Sequence, residues 1–410
     1  MSFASGESCW RDVYLVAGSR AVSVCGDFLA ATTLALVLQR SGHGGLAVSG
    51  LFLAASLPLA LLAPITGRLA DRADSRTLLV VAGLAQALAC LALAFASQPV
   101  VIVALISTLS CGLAVTQPTL GALLPEMVRR EDLAKAGSLS QTAGTIGALL
   151  APALAGILVG VSGPRLPLLL DAASYLALVV AGLLVRTRRR GRTAAGEPAR
   201  TGWRLRDDRT LAVMVAALAA TAGGVSAINV FEVFFIRDTL GASTTVFGLV
   251  AAAWTAGMLA GAVVAGRVPQ RRMTVPAVLA LMAGTCVPVL AAAAVGSAWL
   301  MVPLWVAGGL CNGAINVCIA VIVAGRAPSE ARGRAYAMLG AAVQGAGMLG
   351  LLAAGPLADR FEPRVLVAAA GAGGLLAALA CLPMVRRTNQ AGPDAVRPGP
   401  RVGRVRADAG

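Results

Sequence analysis

Residues 67–97 read GRLADRADSRTLLVVAGLAQALACLALAFAS: ten residues carrying three arginines and two aspartates, then twenty-one residues without a charge. A helix rises about 1.5 Å per residue, so roughly 20 apolar residues cross the ~30 Å hydrocarbon layer of a bilayer. The stretch is therefore a charged loop followed by a membrane-crossing helix. The same alternation extends both ways along the chain. Apolar runs lie near 15–38, 46–66, 77–97, 99–122, 138–160 and 167–185, and, after an arginine-rich break, near 211–235, 246–265, 274–295, 298–325, 336–356 and 364–385. The expected fold is all-α: a polytopic membrane protein of about twelve transmembrane helices.

Composition agrees. Hydrophobic residues make up 58% of the 410, glycine adds 47 more, and charged residues are only 13%. A soluble domain carries roughly 25% charge and cannot form a polar surface from this supply, while a disordered chain is far less hydrophobic. The eight cysteines lack C-x-x-C spacing, and seven of them stand in apolar runs, so they read as small hydrophobes rather than a disulfide framework. One histidine, His43 in SGHGG, leaves no basis for a His/Cys metal site. The first dozen residues mix Glu7, Arg11 and Asp12, and the apolar run after them is too long for a cleavable signal, so it is expected to stay as the first span.

The excess of positive charge, +15, has a direction. With both termini cytoplasmic, 27 basic residues fall on the cytoplasmic loops and tail, nine of them between Arg186 and Arg209, against five (Arg40, Arg165, Arg237, Arg360 and Arg364) on the opposite loops. This is the positive-inside distribution of a plasma (inner) membrane protein. Charge spread over short loops also argues against nucleic acid as a partner. The expected organisation is a cytoplasmic N-terminus at 1–12, a six-helix half at 13–185, a cytoplasmic linker at 186–210, a second half at 211–385 and a disordered basic tail at 386–410.

The halves carry matching punctuation. GRLADRADSR at Gly67 is answered by GRVPQRR at Gly266, and PEMVRREDLAKAGS at Pro125 by PSEARGRAYA at Pro328, offsets of 199 and 203 residues. Two motifs repeated at nearly one spacing indicate two pseudo-symmetric six-helix bundles in parallel.

On these residues the chain resembles the major facilitator superfamily. GRLADRADSR is similar to that superfamily's signature between helices 2 and 3. GDFLAATTLALVLQ at Gly26, LPEMVRREDL at Leu124, APALAGILV at Ala151, RDTLGAS at Arg237 and GPLADRFEPR at Gly355 are similar to the multidrug and siderophore (enterobactin-type) exporter branch. The resemblance covers nearly all of residues 13–385. It implies a major facilitator fold in which helices 1, 4, 7 and 10 surround a central cavity. The fifth-helix motif of proton antiporters has Gly before its proline and a Gly pair after it. Here Ala151, Pro152, Ala153, Leu154, Ala155 and Gly156 depart from it.

In the signature loop, Gly67 allows a tight turn at the membrane surface, Asp71 favours the positive end of a following helix, and Arg72 and Arg76 stand one helical turn apart. Together they are expected to form a charge latch between the halves, with simple positive-inside anchoring as the alternative. An ionisable group at mid-membrane costs roughly 2.5–3.5 kcal/mol on the insertion scale and usually serves a purpose. Asp27, in CGDFLA, is the one deep acid with no basic neighbour in sequence, and it suits a group loaded with a proton from one side and emptied to the other. A structural hydrogen bond is its alternative. Glu232, in NVFEVFF, is the second proton or substrate candidate, and Asp171 reads as structural, capping its helix or pairing with Arg165. Asn229 shares a face with Glu232, and Asn312 with Asn316. Gln117, Gln141 and Gln344 mark the fourth, fifth and eleventh spans, and Asp27, Gln117, Asn229 and Asn312 fall on the four helices that the resemblance puts around the cavity. Trp254 and Trp305 can stack on a flat or cationic substrate.

No phosphate-binding G-x-x-x-x-G-K-[ST] loop and no nucleophile–base arrangement occurs, so neither ATP-driven export by this chain nor enzymatic activity is expected, and no cofactor or metal. The expected function is secondary, proton-coupled efflux of hydrophobic small molecules by a monomer working in the lipid bilayer. A dedicated siderophore or secondary-metabolite exporter, an uncoupled facilitator and a membrane sensor stay open.

Overall fold

Twelve long helices account for most of a computed structural model that describes residues 8–42, 44–129, 131–187, 205, 208–328 and 331–390, the side chains of Asp71 and of residues 384–390 excepted. They are α1 (Trp10–Arg40), α2 (Gly44–Arg72), α3 (Ser75–Leu93), α4 (Pro99–Met127), α5 (Leu133–Ser162), α6 (Arg165–Leu184), α7 (Arg209–Phe234), α8 (Thr244–Gly266), α9 (Val275–Ala292), α10 (Met301–Arg326), α11 (Arg332–Ala358) and α12 (Pro363–Gln390). All twelve are long and apolar enough to cross a membrane, and no strand occurs among the described residues. Several starts are written in the sequence as capping residues. Asp74 accepts from the Thr77 N–H at 3.2 Å, Asp208 from the Leu211 N–H at 3.0 Å, Ser243 from the Val246 N–H at 3.3 Å and Thr274 from the Ala277 N–H at 3.4 Å.

The helices outrun their apolar cores because a helix satisfies its own backbone and can continue through the headgroup layer without cost. α1 begins five residues before the apolar run at 15, and α5 begins at Leu133 rather than 138. α12 continues through Arg386 and Arg387 to Gln390, so the first five residues of the expected disordered tail are helical. The rest of that tail, most of the linker, residues 1–7, His43 and Arg130 lie outside the described residues.

The packing order repeats. In the first six helices the main contacts are α1 with α5 and α6, α2 with α4, and α3 with α4 and α6. Adding six to each number gives the main contacts of the last six: α7 with α11 and α12, α8 with α10, and α9 with α10 and α12. Between the halves the two large seams, α5 with α8 and α2 with α11, are exchanged by the same rule. The sequence repeat has become a pseudo-twofold relation. Close approach within the second half comes from Gly257 and Gly261 on α8 facing Gly309 and Gly313 on α10. A Cβ at Gly261 would overlap the Leu310 backbone.

The bundle has an arginine-rich end, bearing the α2–α3, α4–α5, α8–α9 and α10–α11 loops, and an arginine-poor end. The seams close at the arginine-poor end. There Gly156 and Gly248 meet backbone to backbone between α5 and α8, and Gln39 Nε2 of α1 donates to Asp238 Oδ1 at 2.7 Å. Asp238 lies on a π turn, Phe235–Thr239, that continues α7.

The structure corrects the reading of the signature loop. Gly67 is inside α2, in open space and with no positive φ, so the chain does not turn there. It turns at residues 73–74, and Asp74, not Asp71, caps α3. The break also separates Arg72, the last residue of α2, from Arg76 in α3. Arg76 donates to the Leu183 carbonyl at 2.8 Å, at the electron-rich C-terminal end of α6 in its own half. The Asp71 side chain lies outside the described residues.

Candidate functional site

Helical spacing of three puts Asn229 and Glu232 on one face of α7, and the bundle turns that face toward the junction of the halves. There it lines a cavity of about 280 Å³ whose walls come from α1, α2, α5, α7, α8, α9, α10 and α12. The walls are largely apolar and include five aromatic side chains: Phe28 and Phe52 from the first half, and Phe247, Trp254 and Trp305 from the second. Glu232 is the one carboxylate among the lining residues, which include no lysine or arginine. Its Oε2 accepts from Trp305 Nε1 at 3.1 Å, and Trp305, 2% exposed, stands edge-on to Trp254 with ring centroids 6.3 Å apart. The tryptophan pair therefore fixes the acid in one orientation. A charge-assisted hydrogen bond contributes about 1.5–3 kcal/mol and an edge-on aromatic pair about 0.5–1.5 kcal/mol. Trp305→Phe keeps an aromatic ring, gives up part of the packing and deletes the donor. We expect it to lower stability by about 1–3 kcal/mol, and by clearly less in a Glu232→Gln background, as a double-mutant cycle of thermal unfolding in detergent would measure.

Asn312 and Asn316 are not in this cavity. They line a neighbouring one of about 510 Å³ with Thr221, Ser226 and Tyr336. Asn316 Nδ2 donates to the Asn312 backbone carbonyl at 3.0 Å. Val225, Thr285 and Cys286 belong to both walls, so the cavities adjoin.

Asp27 and Gln117 come together elsewhere, in a small cleft of about 50 Å³ within the first half. Asp27 Oδ1 accepts from the Tyr175 hydroxyl at 2.5 Å. Asp171, fully buried, accepts from Cys90 Sγ at 3.1 Å and from the Ser174 hydroxyl at 3.0 Å. It neither caps α6 nor pairs with Arg165, whose guanidinium lies 5.7 Å from the Phe95 ring centre. Asp27 does have basic company. Arg20, two helical turns earlier on the same face, lines its cleft and reaches Ser140 at 3.4 Å and Gln141 at 3.2 Å on α5. Four candidates on helices 1, 4, 7 and 10 thus divide among three cavities rather than ringing one.

Tyr175, Arg20, Phe28, Phe52 and Phe247 are not among the sequence candidates. Arg20 had a legible signal, its seven-residue spacing from Asp27. The phenylalanines had none, since one aromatic in an apolar helix looks like any other. No group of three or more His, Cys, Asp or Glu able to hold a metal occurs among the described residues.

Two six-helix bundles meeting around an apolar cavity define a membrane transporter of the major facilitator (MFS) type. The profile of the transmembrane secretion effector family matches residues 13–402, and the chain belongs to that family. YfiS, an MFS-type transporter of Bacillus subtilis strain 168, is 24% identical over 364 residues, which cover 83% of this chain and 85% of YfiS. Among solved structures, a bacterial homologue of the iron transporter ferroportin in an inward-facing state superposes with a TM-score of 0.74 at 17% identity, over 92% of this chain and 100% of the other. A variant of the nucleoside transporter NupG superposes with a TM-score of 0.73 at 15% identity, over 91% and 99%. At these identities the likeness is one of fold.

Proposed function

We propose that the chain is a secondary exporter of hydrophobic small molecules that moves them out of the cell in exchange for protons by alternating access. The observation that carries this reading is the apolar cavity at the junction of the halves, with five aromatic side chains and a single carboxylate, Glu232, in its lining. Aromatic faces bind flat or cationic molecules without demanding one shape. A lone acid held by Trp305 can accept a proton when substrate leaves. Asp27, in the other half, is the second proton site, with Gln117 beside it, and Asn312 and Asn316 belong to the substrate path. The complete cavity is built by one chain, which suits a monomer.

In this reading the arginine-rich end and both termini are cytoplasmic in the plasma membrane, and the seams at the arginine-poor end close the outside. In the same reading Asp71 and Arg72 latch the cytoplasmic end in the opposite state. Arg76 and Gly67 have other places, described above.

Proteoliposomes provide the test. An amphipathic dye should accumulate only while a pH gradient is imposed. Dye movement indifferent to the gradient would support the uncoupled facilitator, the second reading, which is favoured by Glu232 already having a protein partner in Trp305. No movement of any dye across a broad panel, with a product of a neighbouring biosynthetic gene cluster carried instead, would point to a dedicated metabolite exporter.

A further inference from the structure

The α2–α11 seam carries an interaction that neither the cavity nor the signature loop uses. Asp359 immediately follows the last helical residue of α11, and its carboxylate crosses to the other half. Oδ1 accepts from the Gly45 N–H at 2.5 Å and Oδ2 from the Leu46 N–H at 3.3 Å, both in the first turn of α2. The partners are 314 and 313 residues apart in sequence.

Two physical facts make this more than an incidental surface contact. The first turn of a helix has backbone N–H groups without intrahelical partners and bears a partial positive charge, so a carboxylate there stabilises it. The same carboxylate sits at the C-terminal end of its own helix, where partial negative charge repels it. Asp359 is thus badly placed within its own half and well placed only when the halves are together. No acid stands between Arg40 and Gly44, so the carboxylate on the first turn of α2 comes from α11. The string around it, GPLADR at 355–360, repeats five of the six residues of GRLADR at 67–72, which stands at the other end of the same antiparallel helix pair.

We propose that Asp359 is a latch at the arginine-poor end: a carboxylate of the second half that caps α2 of the first, holds that end shut, and must release for it to open. Gln39 and Asp238 supply a second bond across the same end.

This inference rests on the fold alone and stands or falls without the proposed transport activity. The test uses the full chain in lipid nanodiscs, with nitroxide labels on ketone-bearing amino acids introduced at Val161 and Trp299. These exposed positions lie at the arginine-poor end, one on each half. Pulsed electron paramagnetic resonance then reads the distance between them. Asp359→Ala is expected to raise the longer-distance population at least threefold over the unsubstituted chain. Asp359→Asn, which keeps an acceptor but loses the charge, should fall between. Glu362→Gln, removing a nearby exposed acid whose side chain has no hydrogen bond or ion pair among the described residues, should change nothing. Unaltered distributions in both Asp359 variants, with the proteins monodisperse on gel filtration, would overturn the latch. An equal response to Glu362→Gln would overturn it as well, since net charge alone would then explain the change.

Discussion

Glu232→Gln should abolish gradient-driven dye accumulation, a loss of at least about tenfold, while the protein reaches the membrane in normal amount. Glutamine keeps the size of the side chain and a carbonyl oxygen for the Trp305 N–H, so the cavity wall is preserved and only the ability to gain and lose a proton goes. No other lining residue replaces it, because the lining offers no second carboxylate. Exchange of labelled dye for unlabelled dye across the membrane, which needs no net proton movement, is expected to survive. That separation distinguishes loss of coupling from loss of binding. If accumulation continues unchanged, Glu232 is a polar wall and the coupling role passes to Asp27.

The second large effect concerns stability. Alanine normally favours a helix over glycine by about 1 kcal/mol, so Gly261→Ala ought to stabilise α8 if only propensity mattered. The opposite is expected. A Cβ there would overlap the Leu310 backbone on α10, and backbone cannot step aside as a side chain can. Overpacking of this kind costs about 1–3 kcal/mol, and the midpoint of thermal unfolding in detergent should fall by several degrees. Gly266→Ala is the matched control, since its Cβ would enter open space on the same helix. A neutral or stabilising Gly261→Ala would mean that α8 and α10 are free to separate, and the packing of the second half would need revision.

How much could be read beforehand depended on whether the signal was local. The spans, the repeat and the orientation of Asn229 with Glu232 follow from periodicity along one helix, and all of these reappear as structure. The small-residue spacings Gly257-x-x-x-Gly261 and Gly309-x-x-x-Gly313 are also legible, as a helix–helix contact signature. What the sequence conceals is which faces meet. Asp27 and Glu232 look equivalent as lone acids in apolar helices. Only the tertiary arrangement gives one a tyrosine and an arginine in a cleft of its own half, and the other a tryptophan in a cavity between halves. The signature loop misled for a related reason. Glycine reads as a turn, yet a helix leaving the bilayer carries it easily for a further turn, and the chain bends only at the capping aspartate, Asp74.

The two seams between the halves differ in kind, and the difference assigns them different mechanical roles. Along α5 and α8 the surfaces are bare backbone at Gly156 and Gly248, and among the described residues no side-chain hydrogen bond crosses between these helices. Smooth surfaces have no ridges to unmesh, so one half can tilt on the other there at little cost, like a shaft in a bearing. Along α2 and α11 the halves also approach closely, at Gly45 and Gly355, but there a carboxylate fastens them as well. The effort of changing state therefore falls on one edge of the molecule, and substitutions on that edge should alter how often it opens, while those on the other should alter how freely it swings.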